Sequence, residues 1–361
     1  MPAIMALFLG LSNLFILGIA AYAAVLNASY PEFAYFTVQE DEFLEWATFW
    51  GFAIASVVFF LSANNQHENE RRIPWFLVGV GLFCLVVAME EISWGQRLLG
   101  YRPPVYFLEE NFQQELNFHN VIATDFRKLA LMIIIIGYGV ILPIVALVRP
   151  VGELLGKIGV VAPSAWLAPS FVLIAGIYQT YPWPFSGEWV EAMLAAGFLA
   201  TALESSNPTR ATLRGCVAVM IVIVLSTGNV WLGRIQSGAD IEKVAIAEAE
   251  LDALQRDFLG GKVKTRCNRH KRLYTFMVEY EQPYLRAGEF AALQQKGMPA
   301  ERADYLLDPW NSPYWLRDRC TRNGERKRVV YVYSFGPNRR RDSTQFEIGG
   351  DDVGAFILDT R

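Results

Sequence analysis

The feature that most constrains this chain is a succession of long apolar segments. A helix crossing ~30 Å of hydrocarbon needs about 20 mainly apolar residues. We expect seven membrane-spanning helices, at residues 4–26, 44–63, 74–91, 129–148, 166–181, 189–203 and 216–232. Charged residues make up only 19% of the chain, against about 25% in soluble domains. The pattern predicts a protein of the lipid bilayer and excludes a single soluble enzyme domain.

Loop charges predict how the helices are oriented, because lysine and arginine are retained on the cytoplasmic side. The loops after the second, fourth and sixth predicted spans carry basic residues: Arg71, Arg72, Arg149, Lys157, Arg210 and Arg214. We therefore expect a cytoplasmic N-terminus and a C-terminal domain outside, which in a bacterium means the inner membrane and the periplasm. The chain has 32 basic and 36 acidic residues, so nothing indicates a nucleic-acid partner.

The composition changes after residue 234, and we divide the chain into a transmembrane domain, 1–234, and an outside domain, 235–361. Residues 240–258 place apolar side chains at helical spacing, and Gly260-Gly261 predicts the end of this helix. Residues 273–280 favour a strand or a helix, and residues 287–295 a short helix. Valine and tyrosine alternate over 328–334, which indicates a strand. The fold class is therefore a membrane all-α bundle with a small α+β domain.

Three motifs in the outside domain carry a family resemblance. They are Asp-Pro-Trp-x-x-Pro-Tyr at 308–314, Tyr-Ser-x-Gly-Pro-Asn at 333–338 and Gly-Gly-Asp-Asp-Val at 349–353. Residues 216–357 resemble the C-terminal region of the major (G-type) pseudopilin of type II secretion and related type IV pilin-like proteins. The resemblance implies a pilin-like head and a protein partner in the cell envelope, either a pilin-like filament or a larger membrane complex. Six spans precede the span that leads into the head, so we do not expect processing and polymerisation like a pilin.

The same resemblance implies a calcium site. In that family the last loop binds calcium through carboxylates, a hydroxyl and backbone carbonyls, and calcium takes six to eight oxygen ligands. The corresponding candidates here are Asp342, Ser343, Asp351 and Asp352. In the alternative, Asp351 and Asp352 pair with the arginines at 339–341 and no metal binds.

The four cysteines divide between the two domains. Cys84 and Cys216 lie in apolar spans, where a cysteine behaves as a small apolar residue. Cys267 and Cys320 lie in the domain that we expect outside, where oxidising conditions permit a disulfide. Two unpaired thiols are the alternative.

A polar cluster at the predicted outer face supplies the candidate catalytic residues Glu90, Glu91, Glu115 and His119. Ionisable groups at membrane depth are costly and are usually paired or functional. If 115–119 is helical, Glu115 and His119 are adjacent and offer a general acid–base pair. If the third span continues as a helix, Glu90 and Arg97 share one face.

The strings at 90–97 and 114–120 are similar to segments of uncharacterised bacterial polytopic membrane proteins, and so is the acidic segment at 40–46. This resemblance implies that the segments belong together, but no activity.

Three functions compete for the polar cluster. In the first, it docks the loop 92–128 against the bundle or the head of a structural or assembly component that binds an envelope partner. In the second, it is the active site of a membrane-embedded enzyme that acts on a lipid or a lipid-linked substrate. In the third, it lines a transport path, which the absence of charges within the predicted spans disfavours. The first is our prediction and the second its alternative.

Overall fold

The computed structural model describes residues 3–111, 113–206, 211–236, 240–261, 263–279, 290–321 and 327–361. The chain forms two compact units. The first unit comprises Met1–Trp94 and Ile122–Val230, and the second comprises Gly95–Val121 and Trp231–Arg361. We call Gly95–Val121 the connecting segment. The structure groups this segment with the C-terminal part of the chain.

The first unit is helical. Its elements are Ala3–Ser29, Pro31–Thr37, Phe43–Glu70, Trp75–Glu91, Thr124–Met132, the π-helical Ile133–Ile141, Leu142–Ala146, Arg149–Lys157, the 3-10 turn Ala165–Leu167, Ala168–Thr180, Ser186–Ser206 and Ala211–Gln236, whose end belongs to the second unit. Each predicted span overlaps helical structure.

Several of these helices have the length and composition to cross a membrane. Among the described residues there are four: Ala3–Ser29, Phe43–Asn69, Thr124–Ala146 and Ala211–Ile235. A fifth arises if the bent pair Trp75–Glu91 and Ser93–Leu99 is one span. The predicted fifth span lies in a shorter apolar helix, Ala165–Thr180. The chain is therefore compatible with membrane insertion, and the number seven stays a prediction.

Ser186–Ser206 is the central helix of the first unit. It packs mainly against Phe43–Glu70, and most of its side chains are buried. Phe198 stacks on Tyr138 at 5.1 Å and contacts Phe52 and Phe83 at 5.8 and 5.3 Å between ring centroids. A helix that is apolar on most sides is buried in a protein core or spans a membrane, and in this helix most side chains pack inside the bundle.

The second unit is built on a helix and a four-stranded antiparallel sheet. The helix Ile241–Leu259, which we call the stem helix, follows the predicted amphipathic pattern, and Gly260 lies directly after its end. The strands are β1 (Arg269–Arg272), β2 (Trp315–Cys320), β3 (Arg328–Ser334) and β4 (Val353–Asp359), in the spatial order β1-β2-β3-β4. The helices are Gln96–Leu99, Val105–Glu110, Leu273–Glu279, Phe290–Gln295 and Ala300–Ala303.

The predicted strand at 328–334 is confirmed as β3, and 273–279 is a helix. Tyr280 and residues 287–289 of the predicted elements lie outside the described residues.

The sheet has two faces because side chains alternate along each strand. On one face, Leu316, Val330 and Val332 share a core with Leu251 and Leu254 of the stem helix. The opposite face, which we call the outer sheet face, carries a second cluster that includes Trp315, Tyr331, Tyr333 and Phe335.

A disulfide joins Cys267 to Cys320, which confirms the predicted pair. Cys320 ends β2 and Cys267 precedes β1, so the bond links neighbouring strands. We expect Cys320→Ser to lower the free energy of unfolding of the second unit by about 2–4 kcal/mol, because the bond constrains the unfolded chain. Thermal unfolding of the full chain in detergent measures the loss. Cys216→Ser is the control, since Cys216 is a free thiol. Equal unfolding temperatures for Cys320→Ser and wild type would contradict the expectation.

Candidate functional site

The four predicted catalytic residues are divided between the two units. Glu90 and Glu91 form the end of the helix Trp75–Glu91 in the first unit, whereas Glu115 and His119 lie in the connecting segment of the second. The expected continuous helix through Arg97 is wrong. Ser93 and Trp94 have φ values of 47° and 55°, and left-handed residues cannot continue a right-handed helix. The Trp94 indole donates to Glu90 Oε1 at 2.6 Å.

Residues 115–119 do not form the expected helix either. The described residues 113–121 are turns and bends, and Gln114 has a φ of 54°. The Asn111 amide organises this turn, because its Nδ2 donates to the Glu115 carbonyl at 2.6 Å and to Asn117 Oδ1 at 2.8 Å. Asparagine competes with helix formation in this way. Glu115 and His119 therefore lack the i,i+4 geometry of the proposed acid–base pair.

Glu115 is instead the buried counter-ion of two arginines. Arg97 Nη1 lies 3.1 Å from Glu115 Oε2, and Arg272 Nη2 lies 3.5 Å from Glu115 Oε1. All three side chains are at most 7% exposed. The Arg272 guanidinium also lies 4.5 Å from the ring centroid of Trp315. Removing one member of a buried ion pair leaves an uncompensated charge, so Glu115 holds the connecting segment to β1.

Further contacts join the connecting segment to the C-terminal part of the second unit. The Tyr305 hydroxyl donates to Glu109 Oε1 at 2.8 Å, and Asn311 Nδ2 donates to the Gly100 carbonyl at 3.0 Å. Arg339 donates to the Arg97 carbonyl. A side chain at Gly100, which has a φ of 67°, would collide with the Arg339 guanidinium. The connecting segment is thus an integral part of the second unit.

The motif at 308–314 clamps the stem helix at two points. Trp310 Nε1 donates to Asp240 Oδ2 at 3.0 Å, just before the stem helix begins, and the Tyr314 hydroxyl donates to Glu250 Oε2 at 2.7 Å. Glu250 also accepts two hydrogen bonds from Arg302. Bidentate arginine–carboxylate pairs are among the stronger hydrogen bonds. The motif therefore holds the stem helix in place, a role that the sequence alone did not predict.

Asp308 fixes the turn of the same motif. Its Oδ1 accepts from the backbone N–H groups of Trp310 and Ser312 at 2.9 and 2.8 Å, and its Oδ2 accepts from the Ser334 hydroxyl. Burial raises the pKa of this carboxyl to about 7, because desolvation penalises the charged form.

The raised pKa of Asp308 predicts a pH dependence. Between about pH 4, near the pKa of an unfolded aspartate, and pH 7 the folded state binds the extra proton, so stability falls as pH rises through this window. Asp308→Asn imitates the protonated form, since its oxygen accepts both backbone bonds and its amide donates to Ser334. We expect the melting temperature of wild type to fall more steeply between pH 4 and 7 than that of Asp308→Asn. Parallel curves would contradict this assignment.

Asp342, Asp351 and Asp352 form a carboxylate cluster, in which one oxygen of each lies within 4.8 Å of the others. Burial raises the pKa of both Asp351 and Asp352 to about 7. Asp352 Oδ2 accepts from the backbone N–H of Ser343 at 2.7 Å. Asp351 Oδ1 and Asp352 Oδ1 are shielded from solvent and have no hydrogen-bond partner among the described residues.

In the alternative to a metal site, Asp351 and Asp352 pair with the arginines at 339–341. Arg340 Nη2 lies 3.4 Å from Asp342 Oδ1. Among the described residues no ion pair within 4.0 Å joins Asp351 or Asp352 to an arginine, although the buried Arg341 guanidinium and the Asp352 carboxylate attract each other electrostatically. Ser343 Oγ accepts from the Gly349 N–H at 3.2 Å and lies within the same turn. Two shielded carboxylate oxygens without donors fit a hard divalent cation such as calcium.

Sequence reasoning missed the residues that complete these sites. Arg272 is one partner of Glu115, and Arg302 is the partner of Glu250. Each of these pairs is distant in sequence, and the residues that flank each arginine do not identify its partner.

Comparisons of the chain with protein-family models, with curated proteins and with solved structures found no match.

Proposed function

We propose that this protein is a structural or assembly component of a bacterial envelope complex. It spans the inner membrane seven times with its N-terminus in the cytoplasm, and its periplasmic pilin-like head binds a protein partner. The observation that carries the proposal is the buried ion-pair group of Glu115 with Arg97 and Arg272. The stem helix packed on one face of an antiparallel sheet supports the pilin-like comparison.

The same observation favours the structural role over the alternative of a membrane-embedded enzyme. A general acid or base must reach substrate, whereas Glu115 is 4% exposed and bonded to two arginines. Transport is disfavoured as well. Among the described residues of the first unit, the buried polar side chains are hydroxyls of serine and threonine.

Complementation of a strain that lacks this protein separates the two roles. We expect His119→Ala and Glu91→Gln to restore the phenotype, because neither residue is the shared counter-ion of the buried arginines. We expect Glu115→Ala to fail, with a loss of folded protein on a detergent gel-filtration column. A His119→Ala protein that accumulates normally and binds its partner, but does not complement, would favour the enzyme.

We also infer that the carboxylate cluster binds calcium. Asp342, Asp351 and Asp352 would supply carboxylate oxygens, and Ser343 would add its hydroxyl. Bound calcium would link the turn that carries Asp342 to the turn that carries Asp351 and Asp352, and so stabilise the tail of the head. The ion has access, since Asp351 and Asp352 line an open cleft of about 440 Å³.

The calcium site predicts a rise in melting temperature. At pH 7.5 we expect millimolar calcium to raise the melting temperature of the full chain in detergent by about 3 °C, the scale for a weak extracellular site. Asp351→Asn should lose most of this shift. Asp304→Asn is the matched control, because Asp304 is an exposed aspartate of the same unit. A wild type that calcium does not stabilise, or a shift that Asp351→Asn retains in full, would end the calcium proposal.

A further inference from the structure

We propose that the outer sheet face contains a binding site for a phosphate-type oxyanion, formed by His270, Trp315 and Arg317. The site lies within the second unit and goes beyond the proposed function. Its ligand class follows from the hydrogen-bond donors that these side chains present and from the positive charge around them.

Strand register places the site's side chains together. In the antiparallel pair of β1 and β2, His270 is opposite Arg317 and Arg272 is opposite Trp315. Residues two apart on a strand share a face, so the four side chains form a square on the outer sheet face. The His270 ring stacks on Trp315 with 4.8 Å between centroids, and Phe335 stacks on Trp315 at 5.0 Å. The indole is therefore held in a fixed orientation.

Within this square, Arg317 and Trp315 each present a donor that lacks an acceptor. Arg317 Nε and Trp315 Nε1 are shielded from solvent, and neither has a hydrogen-bond partner within the described ranges. A buried donor left unsatisfied costs about 1–3 kcal/mol, and most such groups in folded proteins are satisfied by protein, water or ligand. Two of them on neighbouring side chains of one face indicate a ligand with several acceptor oxygens.

His270 supplies a third donor. Its Nε2 lies 2.8 Å from the Tyr333 hydroxyl. Burial, together with the nearby charges of Arg317 and Arg272, holds the pKa of His270 well below its usual value, so the ring is neutral at physiological pH. In the tautomer whose Nε2 accepts the proton of the tyrosine hydroxyl, the ring proton lies on Nδ1; in the other tautomer Nε2 itself donates to the hydroxyl.

The charge balance of the square favours an anion. Arg272 shares the Glu115 carboxylate with Arg97. Arg317 forms no ion pair with any residue that the structure describes, so its charge is left over. Guanidinium groups bind phosphate oxygens through directed, charge-assisted hydrogen bonds. The same chemistry serves free inorganic phosphate and the phosphate of an anionic lipid headgroup.

Calorimetric titration of inorganic phosphate into the full chain, in phosphatidylcholine nanodiscs, tests the site. We expect Arg317→Gln to weaken phosphate binding at least tenfold, the loss of one charge-assisted bond. Arg319→Gln is the matched control and should change the affinity less than twofold. Arg319 is on the same strand and face and also has a shielded Nε, but unlike Arg317 it donates through Nη1 to Asn268. If Arg317→Gln does not fold, Trp315→Phe keeps the stacked ring, removes one donor and should still weaken binding.

Nanodiscs of phosphatidylglycerol distinguish the two sources of the anion. Suppressed phosphate binding there, relative to phosphatidylcholine, assigns the site to a lipid headgroup, and unchanged binding assigns it to free phosphate. Absence of phosphate binding by wild type in phosphatidylcholine overturns the proposal, as does equal weakening by Arg317→Gln and Arg319→Gln. Neither failure affects the proposed function, which rests on Glu115.

Discussion

Replacing Glu115 by alanine is expected to lower the free energy of unfolding of the second unit by about 3–5 kcal/mol, the cost of breaking a buried ion pair from one side. The change leaves Arg97 and Arg272 buried without their shared carboxylate. It also releases the connecting segment from β1. Urea titration of the full chain in detergent, read by pulse proteolysis, measures the loss.

Glu110→Ala is the control for this prediction. Glu110 belongs to the same segment and is exposed, so its loss should change stability by no more than about 0.5 kcal/mol. Comparable effects of Glu115→Ala and Glu110→Ala would show that Glu115 does not hold the segment in place.

Arg302→Ala is expected to be similarly damaging, at about 3–5 kcal/mol. Arg302 makes two hydrogen bonds to Glu250 of the stem helix and one to the Leu307 carbonyl at 3.0 Å. Its loss leaves a buried carboxylate that only Tyr314 still contacts among the described residues. The same urea titration reports the change.

Arg256→Ala provides the comparison for Arg302→Ala, because Arg256 is an exposed arginine in the last turn of the stem helix. Glu250→Gln should recover part of the stability when combined with Arg302→Ala, since it removes the buried charge. A double variant less stable than Arg302→Ala would argue against an uncompensated carboxylate as the cause.

Local patterns predicted the local parts of the fold. The alternation of valine and tyrosine over 328–334 identified β3, and helical spacing identified the stem helix. Both signals arise from side-chain periodicity, which a sequence displays directly. The disulfide was also predictable, because only Cys267 and Cys320 lie in the outside domain.

The helical geometry expected for the candidate active site was wrong where the backbone leaves regular structure. Ser93 and Trp94 adopt left-handed backbone conformations, which are uncommon for residues other than glycine. These residue types therefore gave no reason to expect a break in the helix. The i,i+4 spacing of Glu115 and His119 has meaning only in a helix, and Asn111 holds a turn there instead. One partner of Glu115, Arg272, is distant in sequence, so side-chain periodicity could not predict the pair.

Composition predicted seven membrane spans, and four or five helices qualify by length and composition among the described residues. Ser186–Ser206 shows why composition is ambiguous. The bundle interior and the bilayer both select apolar side chains, so burial within the bundle can produce the same signal as contact with lipid.

A double-mutant cycle on Glu115 and Arg272 tests the central claim, that this carboxylate acts as a counter-ion within the second unit. The unfolding free energies of wild type, Glu115→Gln, Arg272→Gln and the double variant are compared in detergent by the same urea titration. We predict a coupling energy above about 1.5 kcal/mol, within the range for residues in one salt-bridge network. A coupling energy below about 0.5 kcal/mol, the value for independent sites, would contradict the claim.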